Sequence, residues 1–136
     1  MRDPPRDCPC HSGLRYGACC KPLHEGLRAA DTPEALMRSR YAAFALKLGA
    51  YLLETLSADH PDRAAGATAE ALSQARAGQR FLGLAILESH TEGDRGVVVF
   101  RARIFERGVD RSFSERSRFR REEGAWRYEG GDLVEG

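Results

Sequence analysis

The four cysteines of this chain, Cys8, Cys10, Cys19 and Cys20, crowd into one short N-terminal stretch, and none follows. Thiols grouped in this way can cross-link, switch with redox state or hold a metal ion. Local disulfides fit badly. Cys8 and Cys10 are too close to bridge without strain, and a bond between adjacent Cys19 and Cys20 would close a distorted ring. No sequence signal marks the chain as secreted, which removes the usual setting of a disulfide framework. A redox switch is a lesser alternative, and unrelated reduced cysteines would not cluster so tightly. Zinc fits best: it takes four sulfurs at about 2.3 Å around a tetrahedron, and two close pairs joined by a loop supply them. Pro9 stiffens the first pair, while Gly13 and Gly17 let the loop turn back. Four thiolates on a dication leave a charge of about −2, which Arg6, His11, Arg15, Lys21 and His24 lie close enough to offset. His11 and His24 are expected outside the ligand set, because the cysteines complete it. Ordering backbone costs about 1–2 kcal/mol per residue, and this loop has almost no apolar side chains to repay it. A structural zinc contributes roughly 10–16 kcal/mol. The loop is therefore expected to fold only with metal, and the rest of the chain to be indifferent to it.

Everything beyond residue 30 must be positioned by ordinary elements. Asp31-Thr32-Pro33-Glu34 reads as a helix start: a capping hydroxyl, proline in the first turn and an acid near the positive end of the dipole. Met37, Tyr41, Phe44 and Leu48 then recur at helical spacing, with Gly49 expected to end the run. A second short helix is expected at Tyr51–Leu56, closed by Asp59-His60-Pro61, and a third from Thr68 to Ala77 with Gly78 just past it. After Gly78 the period changes to two. Phe81–Ser89, Gly96–Glu106, Arg111–Arg121 and Ala125–Val134 read as strands joined by glycine-containing turns. Helices first and an antiparallel meander after them make an α+β layout, with residues 21–31 as connector.

Pairing Glu106 with Arg111 sets Ile104 against Phe113, Ala102 against Glu115, Phe100 against Ser117 and Val98 against Phe119, all on one side of the sheet. A turn at Glu123-Gly124 then sets Phe119 against Tyr128, Ser117 against Gly130 and Glu115 against Asp132. Glu115 and Asp132 thus become carboxylates on an otherwise apolar inner face. The plainest account of Glu115 is a buried ion pair with Arg38 or Arg40 that pins helix to sheet, since an unpaired buried charge costs several kcal/mol. The outer face carries Arg101, Arg103, Arg116, Arg118 and Arg120, with Arg101 opposite Arg116, an unfavourable pair unless an anion such as Glu88, Glu122 or Glu123 intervenes.

Composition narrows the function classes. A net charge of +1 and the lack of aromatic platforms on the arginine face argue against a nucleic-acid partner. No apolar run approaches the roughly 20 residues that span a bilayer. Met1-Arg2-Asp3-Pro4-Pro5-Arg6 lacks the apolar stretch of a signal peptide, so the expected location is the cytoplasm.

Cys8-Pro9-Cys10-His11-Ser12-Gly13, then Tyr16, then Cys19-Cys20, resembles the SEC-C motif, the zinc knuckle at the C-terminus of the preprotein translocase SecA. His11 stands where that motif has glycine; a positive φ there would be tolerated by histidine at some cost. Leu36–Phe44, Tyr51-Leu52 with Thr55, Glu115–Phe119, Trp126 and Tyr128 extend the similarity to the YchJ-like bacterial family. The resemblance implies a SEC-C-like knuckle over residues 1–24 and a nuclear transport factor 2-like domain over 25–136, with helices packed on a curved antiparallel sheet. Many members carry a second, C-terminal knuckle; no cysteine follows Cys20 in this sequence to build one, so nothing is carried over from it. In such folds the sheet and first helix enclose a cavity, which would place Glu115, Asp132 and Ser117 in a pocket. Arg38, Arg40, Tyr41, His60, Trp126 and Tyr128 complete the candidate set. Two adjacent carboxylates would there push their pKa values apart. Two functions follow. The first is a non-enzymatic, zinc-stabilised interaction protein whose knuckle contacts a partner protein, as the SecA motif does. The second is a small-molecule-binding or enzymatic cavity around Glu115.

Overall fold

The computed structural model describes residues 7–135, so the readings of Arg6 and of the N-terminal hexapeptide fall outside the described residues. A single 3-10 turn at Tyr16–Ala18 leads into α1 (Lys21–His24). The other helices are α2 (Pro33–Leu46), α3 (Gly49–Glu54), α4 (Pro61–Ala64) and α5 (Ala69–Gln74). The strands β1 (Gln79–Glu92), β2 (Arg95–Glu106), β3 (Val109–Asp110), β4 (Phe113–Glu122) and β5 (Ala125–Val134) follow. They form one antiparallel sheet in the order β1-β2-β4-β5, with β3 paired to β2. This is the α+β architecture expected.

Helix α2 starts as its sequence dictates: Thr32 accepts a hydrogen bond from the Ala35 amide at 3.0 Å, and Pro33 occupies the first turn. It stops two residues earlier than expected. Lys47 adopts a left-handed conformation at φ 61°, and the Leu48 amide closes on the Ala43 carbonyl at 2.8 Å. Leu48 therefore leaves the helical stripe. Gly49 does not end α2 but opens α3, where a Cβ would collide with the Ala69 carbonyl of α5. Its amide donates to Ser73 Oγ of α5 at 2.9 Å.

Met37 and Tyr41 of α2 meet Val98, Phe100, Ala102, Ile104, Phe119 and Trp126 in one core cluster. Leu23 and Ala30, in the stretch read as a connector, belong to the same cluster. The inner face of β2 and β4 is the expected one, but the register differs by two residues. Arg107 and Gly108, at φ 52° and 78°, make a two-residue turn, so Glu106 pairs with Val109 and Ala102 with Phe113. Phe100 then faces Glu115 and Val98 faces Ser117. A shift of two keeps every side chain on its side. It also separates Arg101 from Arg116: Arg101 faces Ser114, and Arg116 faces Val99.

Between β4 and β5, Phe119 pairs with Tyr128 as expected, and then the register slips by one. The slip centres on Gly130, at φ 151°, and sets Arg118 against Gly130, Arg116 against Asp132 and Glu115 against Leu133. One extra residue exchanges the faces of everything beyond it. Asp132 consequently leaves the inner face and forms an exposed ion pair with Arg118 at 2.7 Å.

Candidate functional site

The cysteine loop is a short hairpin closed by the Cys8 amide on the Leu14 carbonyl at 2.9 Å and by the pairing of Asp7 with Arg15. His11 takes φ 61° at its apex, the conformation expected of a glycine position. The 3-10 turn then brings Cys19 and Cys20 back. The four Sγ atoms lie within 4.8 Å of one another, with Cys10–Cys19 at 3.6 Å and Cys19–Cys20 at 3.9 Å. Sulfurs at about 2.3 Å from a common centre stand about 3.8 Å apart in a tetrahedron, so the donor set fits a four-coordinate metal ion. The same spacing is far beyond a disulfide bond. Cys8, Cys10 and Cys20 are buried, and Ser12 Oγ lies 3.2 Å from Cys19 Sγ, placed to donate to a thiolate. Neighbouring thiols donating to Cys10, that of Cys20 foremost, push its pKa well below the usual thiol range, while the Cys20 pKa is pushed up by the same contact.

The loop is not an independent appendage. Ala42 of α2, fully buried, packs among Cys8, Cys10 and Cys20. Arg38 donates to the Cys10 carbonyl at 3.1 Å and pairs with Glu34 at 3.3 Å, so it reaches neither Glu115 nor the inner face. His24 donates from Nε2 to the Ser39 carbonyl at 2.8 Å and accepts at Nδ1 from the Tyr16 hydroxyl at 2.7 Å. Its ring packs edge-on against Tyr51, which donates to Ser39 Oγ at 2.7 Å. Burial pushes the His24 pKa down. His11 lies outside the ligand set and reaches the Phe81 carbonyl of β1 at 3.2 Å, its ring edge-on to Tyr41. The expected indifference of the body to the loop thus conflicts with a buried seam along α2.

The second site is a cavity of about 120 Å³ between α2 and the sheet. Tyr41, Arg40, Glu115, Ser117 and Tyr128 of the candidate set line it. Oε2 of Glu115 accepts from the Ser117 hydroxyl at 2.5 Å and from the Tyr128 hydroxyl at 2.9 Å. No arginine forms an ion pair with Glu115 among the described residues, which overturns the helix-pinning pair. Arg40 instead donates to the Leu52 carbonyl at 2.8 Å and Thr55 Oγ1 at 2.6 Å, with its guanidinium 4.7 Å from the Tyr128 ring centre. Burial pushes the Arg40 pKa down to about 10, so it stays protonated near neutrality. Burial, and next the Glu115 charge, push the Tyr128 phenol up. Gly131 makes room for Glu115: a Cβ there would strike the carboxylate.

Tyr128 is held by its backbone as well. Its amide donates to the Thr55 carbonyl at 2.8 Å, and its carbonyl accepts from the Ser57 amide at 2.9 Å. His60 does not line the cavity. Its Nδ1 caps α4 by accepting from the Asp62 amide at 3.0 Å, while its ring stacks against Tyr128 at 5.6 Å. Trp126 is likewise absent from the lining; it is buried in the core beneath the Arg121 guanidinium. Asp132 is excluded by the Gly130 bulge. The sequence reading missed Arg76, which lines the cavity just past α5 and stacks over Phe44 and Phe113 at 5.5 and 5.0 Å. The expected helix from Thr68 to Ala77 covered Arg76 without marking it; its one available signal was its place two residues before Gly78, at the turn into the sheet.

Known proteins share this fold. Residues 32–131 match the family described as YchJ, middle NTF2-like domain. The UPF0225 protein YchJ of Shigella dysenteriae is 41% identical over 124 residues, covering 89% of this chain and 79% of that protein. The solution structure of a SEC-C motif containing protein from Rhodopseudomonas palustris superimposes with a TM-score of 0.83 at 40% identity, over 96% of this chain and 100% of that one. The crystal structure of a SEC-C motif containing protein from Psychrobacter arcticus shares the fold, with a TM-score of 0.76 at 24% identity over 95% and 83% of the two chains. No helix among the described residues is long and apolar enough to cross a membrane.

Proposed function

The chain belongs to the YchJ family, and on that footing we propose that it is a zinc-stabilised protein that binds a small molecule in the cavity of its NTF2-like body. The observation that carries this reading is the half-buried carboxylate of Glu115, held by two hydroxyls and by no arginine, on the wall of a cavity lined by aromatic rings. A carboxylate used only to pin helix to sheet would have a cationic partner. Concave, mostly apolar pockets with a few convergent polar groups are the usual form of ligand sites. The metal is structural on this proposal: four sulfurs close the coordination shell and favour zinc, which supplies a crosslink between the two cysteine pairs. Four reduced cysteines fit the reducing cytoplasm as the site of action.

Ala102 lines the cavity and is itself buried. Replacing it by leucine fills the space. Fragment screening by NMR should give ligands whose binding is lost in Ala102→Leu while the fold persists. Ligands that bind the variant unchanged, or a screen with no ligand at all, would refute the reading.

A second reading, contact between the knuckle and a partner protein, is favoured by the exposure of Leu14 on the hairpin and Leu27 just after α1, at 55% and 75%. A photoreactive residue at position 14 should then give one discrete adduct in cells; a smear or no adduct would count against it.

A further inference from the structure

The charges around the cavity do not balance. Two guanidinium groups, Arg40 and Arg76, line it together with one carboxylate, Glu115. Neither arginine has a carboxylate within ion-pair distance among the described residues. Their hydrogen bonds are few: Arg40 uses one terminal nitrogen for the Leu52 carbonyl and Thr55, and Arg76 uses one for Gln79 at 3.0 Å. Their other contacts are with aromatic faces. No buried side-chain nitrogen or oxygen among the described residues lacks a hydrogen-bond partner, so the guanidinium edges that make none reach open space. Glu115 shows the same pattern in reverse. Oε2 takes both hydroxyl donors and leaves Oε1 as an acceptor. The remaining walls are flat and apolar, with Phe44, Phe81, Phe100 and Phe113 among them. The space of about 120 Å³ is of the order of the roughly 150 Å³ engineered cavity that takes benzene.

Building on the ligand-binding reading above, we infer that the cavity takes a small monoanion: a carboxylate on a body the size of one ring, carrying a hydrogen-bond donor. The carboxylate answers the excess guanidinium charge, with Arg76 as the more accessible of the two arginines. The ring lies among the aromatic walls. The donor is read by Oε1 of Glu115, where a ligand without one leaves that acceptor unmatched.

The test is an NMR titration of the metal-loaded full chain with benzoate, the three hydroxybenzoates, phenol and benzylamine, following the amides of β2 and β4. One hydroxybenzoate should bind most tightly, benzoate more weakly, and phenol and benzylamine at least about tenfold more weakly than benzoate. Arg76→Gln should weaken benzoate by about tenfold and leave phenol unchanged, with Arg76→Lys recovering part of the loss. Glu115→Gln should erase the preference for the hydroxybenzoate over benzoate. Preferred binding of phenol or benzylamine would overturn the assignment of charge and leave the cavity as a ligand site. Equal binding of benzoate to wild type and Arg76→Gln would overturn it too. No cavity shift with any of the six compounds would overturn both this inference and the reading it rests on.

Discussion

Tyr128 donates its hydroxyl to the same oxygen of Glu115 that accepts from Ser117, while its ring carries the Arg40 guanidinium 4.7 Å from its centre. The carboxylate of β4 and the guanidinium of α2 therefore meet through a phenol rather than directly. Glu115→Gln should consequently change stability by no more than about 1 kcal/mol in denaturant melts, since a glutamine oxygen accepts from both hydroxyls and a half-buried charge is removed. A loss of about 3–5 kcal/mol, the cost of breaking a buried ion pair, would show that Arg40 is the true partner.

The seam along α2 changes what metal removal should do. Elemental analysis of protein purified without chelator should give one zinc per chain, lost in Cys10→Ser. Because Ala42 and the Cys10 carbonyl contact tie the loop to α2, the same variant should lower the melting temperature of the body by several degrees, as a loss of 1 kcal/mol or more does in a domain of this size. An unchanged melt in the metal-free variant would restore the picture of an independent knuckle.

His24 gives that seam a pH dependence of definite sign. Burial holds its folded pKa below the ordinary 6.5, so the unfolded chain binds the proton more readily. The stability gained from neutral His24 is complete above that value and falls away as pH drops below it. Between pH 7.5 and 5.5 the melting temperature should fall, and it should fall less in His24→Gln. An equal drop in both proteins would assign the acid sensitivity elsewhere, to thiolate protonation or to His60.

Two faces of the sheet should respond unequally. Val98 and Phe119 are only 0% and 1% exposed, and Val98→Asp or Phe119→Asp should abolish folding. Arg118 and Asp132 form an exposed pair, so Arg118→Ala should cost no more than about 1 kcal/mol by chemical denaturation. Similar losses on both faces would contradict the observed sheet.

Gly49→Ala should be unusually costly for so small a change. The added methyl would meet the Ala69 backbone and the Ser73 hydroxyl, and backbone cannot step aside as a side chain does. A loss of about 1–3 kcal/mol in thermal or urea unfolding is expected, against a gain of about 0.4–1 kcal/mol for the usual glycine to alanine exchange. A stabilised variant would refute the close approach of α3 to α5.

Much of this architecture was legible because it rests on local rules. Thr32 and Pro33 announce α2, the change of period after Gly78 announces the sheet, and the cysteine spacing announces the metal set. The misreadings arose where a single backbone torsion decides a long-range result. Lys47 in the left-handed region ended α2 early, Arg107 with Gly108 closed the hairpin two residues sooner, and Gly130 carried Asp132 to the other face. The two-residue shift was harmless to facing, whereas the one-residue bulge was not. Arg38 and Arg40, two positions apart on one helix, point to opposite sides, toward the cysteine loop and toward the cavity; helical spacing implies that divergence once the sheet side of α2 is known. The partners of His24 and the place of Arg76 depend on tertiary contacts that no local pattern encodes.

His11 joins the apex of the cysteine loop to the Phe81 carbonyl and to the Tyr41 ring, and both residues also wall the cavity. The loop whose cysteines could hold a metal ion is thus one hydrogen bond away from the surface that would grip a ligand. Free-energy reciprocity follows from that adjacency: whatever factor metal binding adds to ligand affinity, ligand binding must add to metal affinity. On the proposed zinc and ligand sites, a positive coupling would let a shortage of zinc weaken the hold on the small molecule, and an excess of the small molecule tighten the equilibrium hold on zinc.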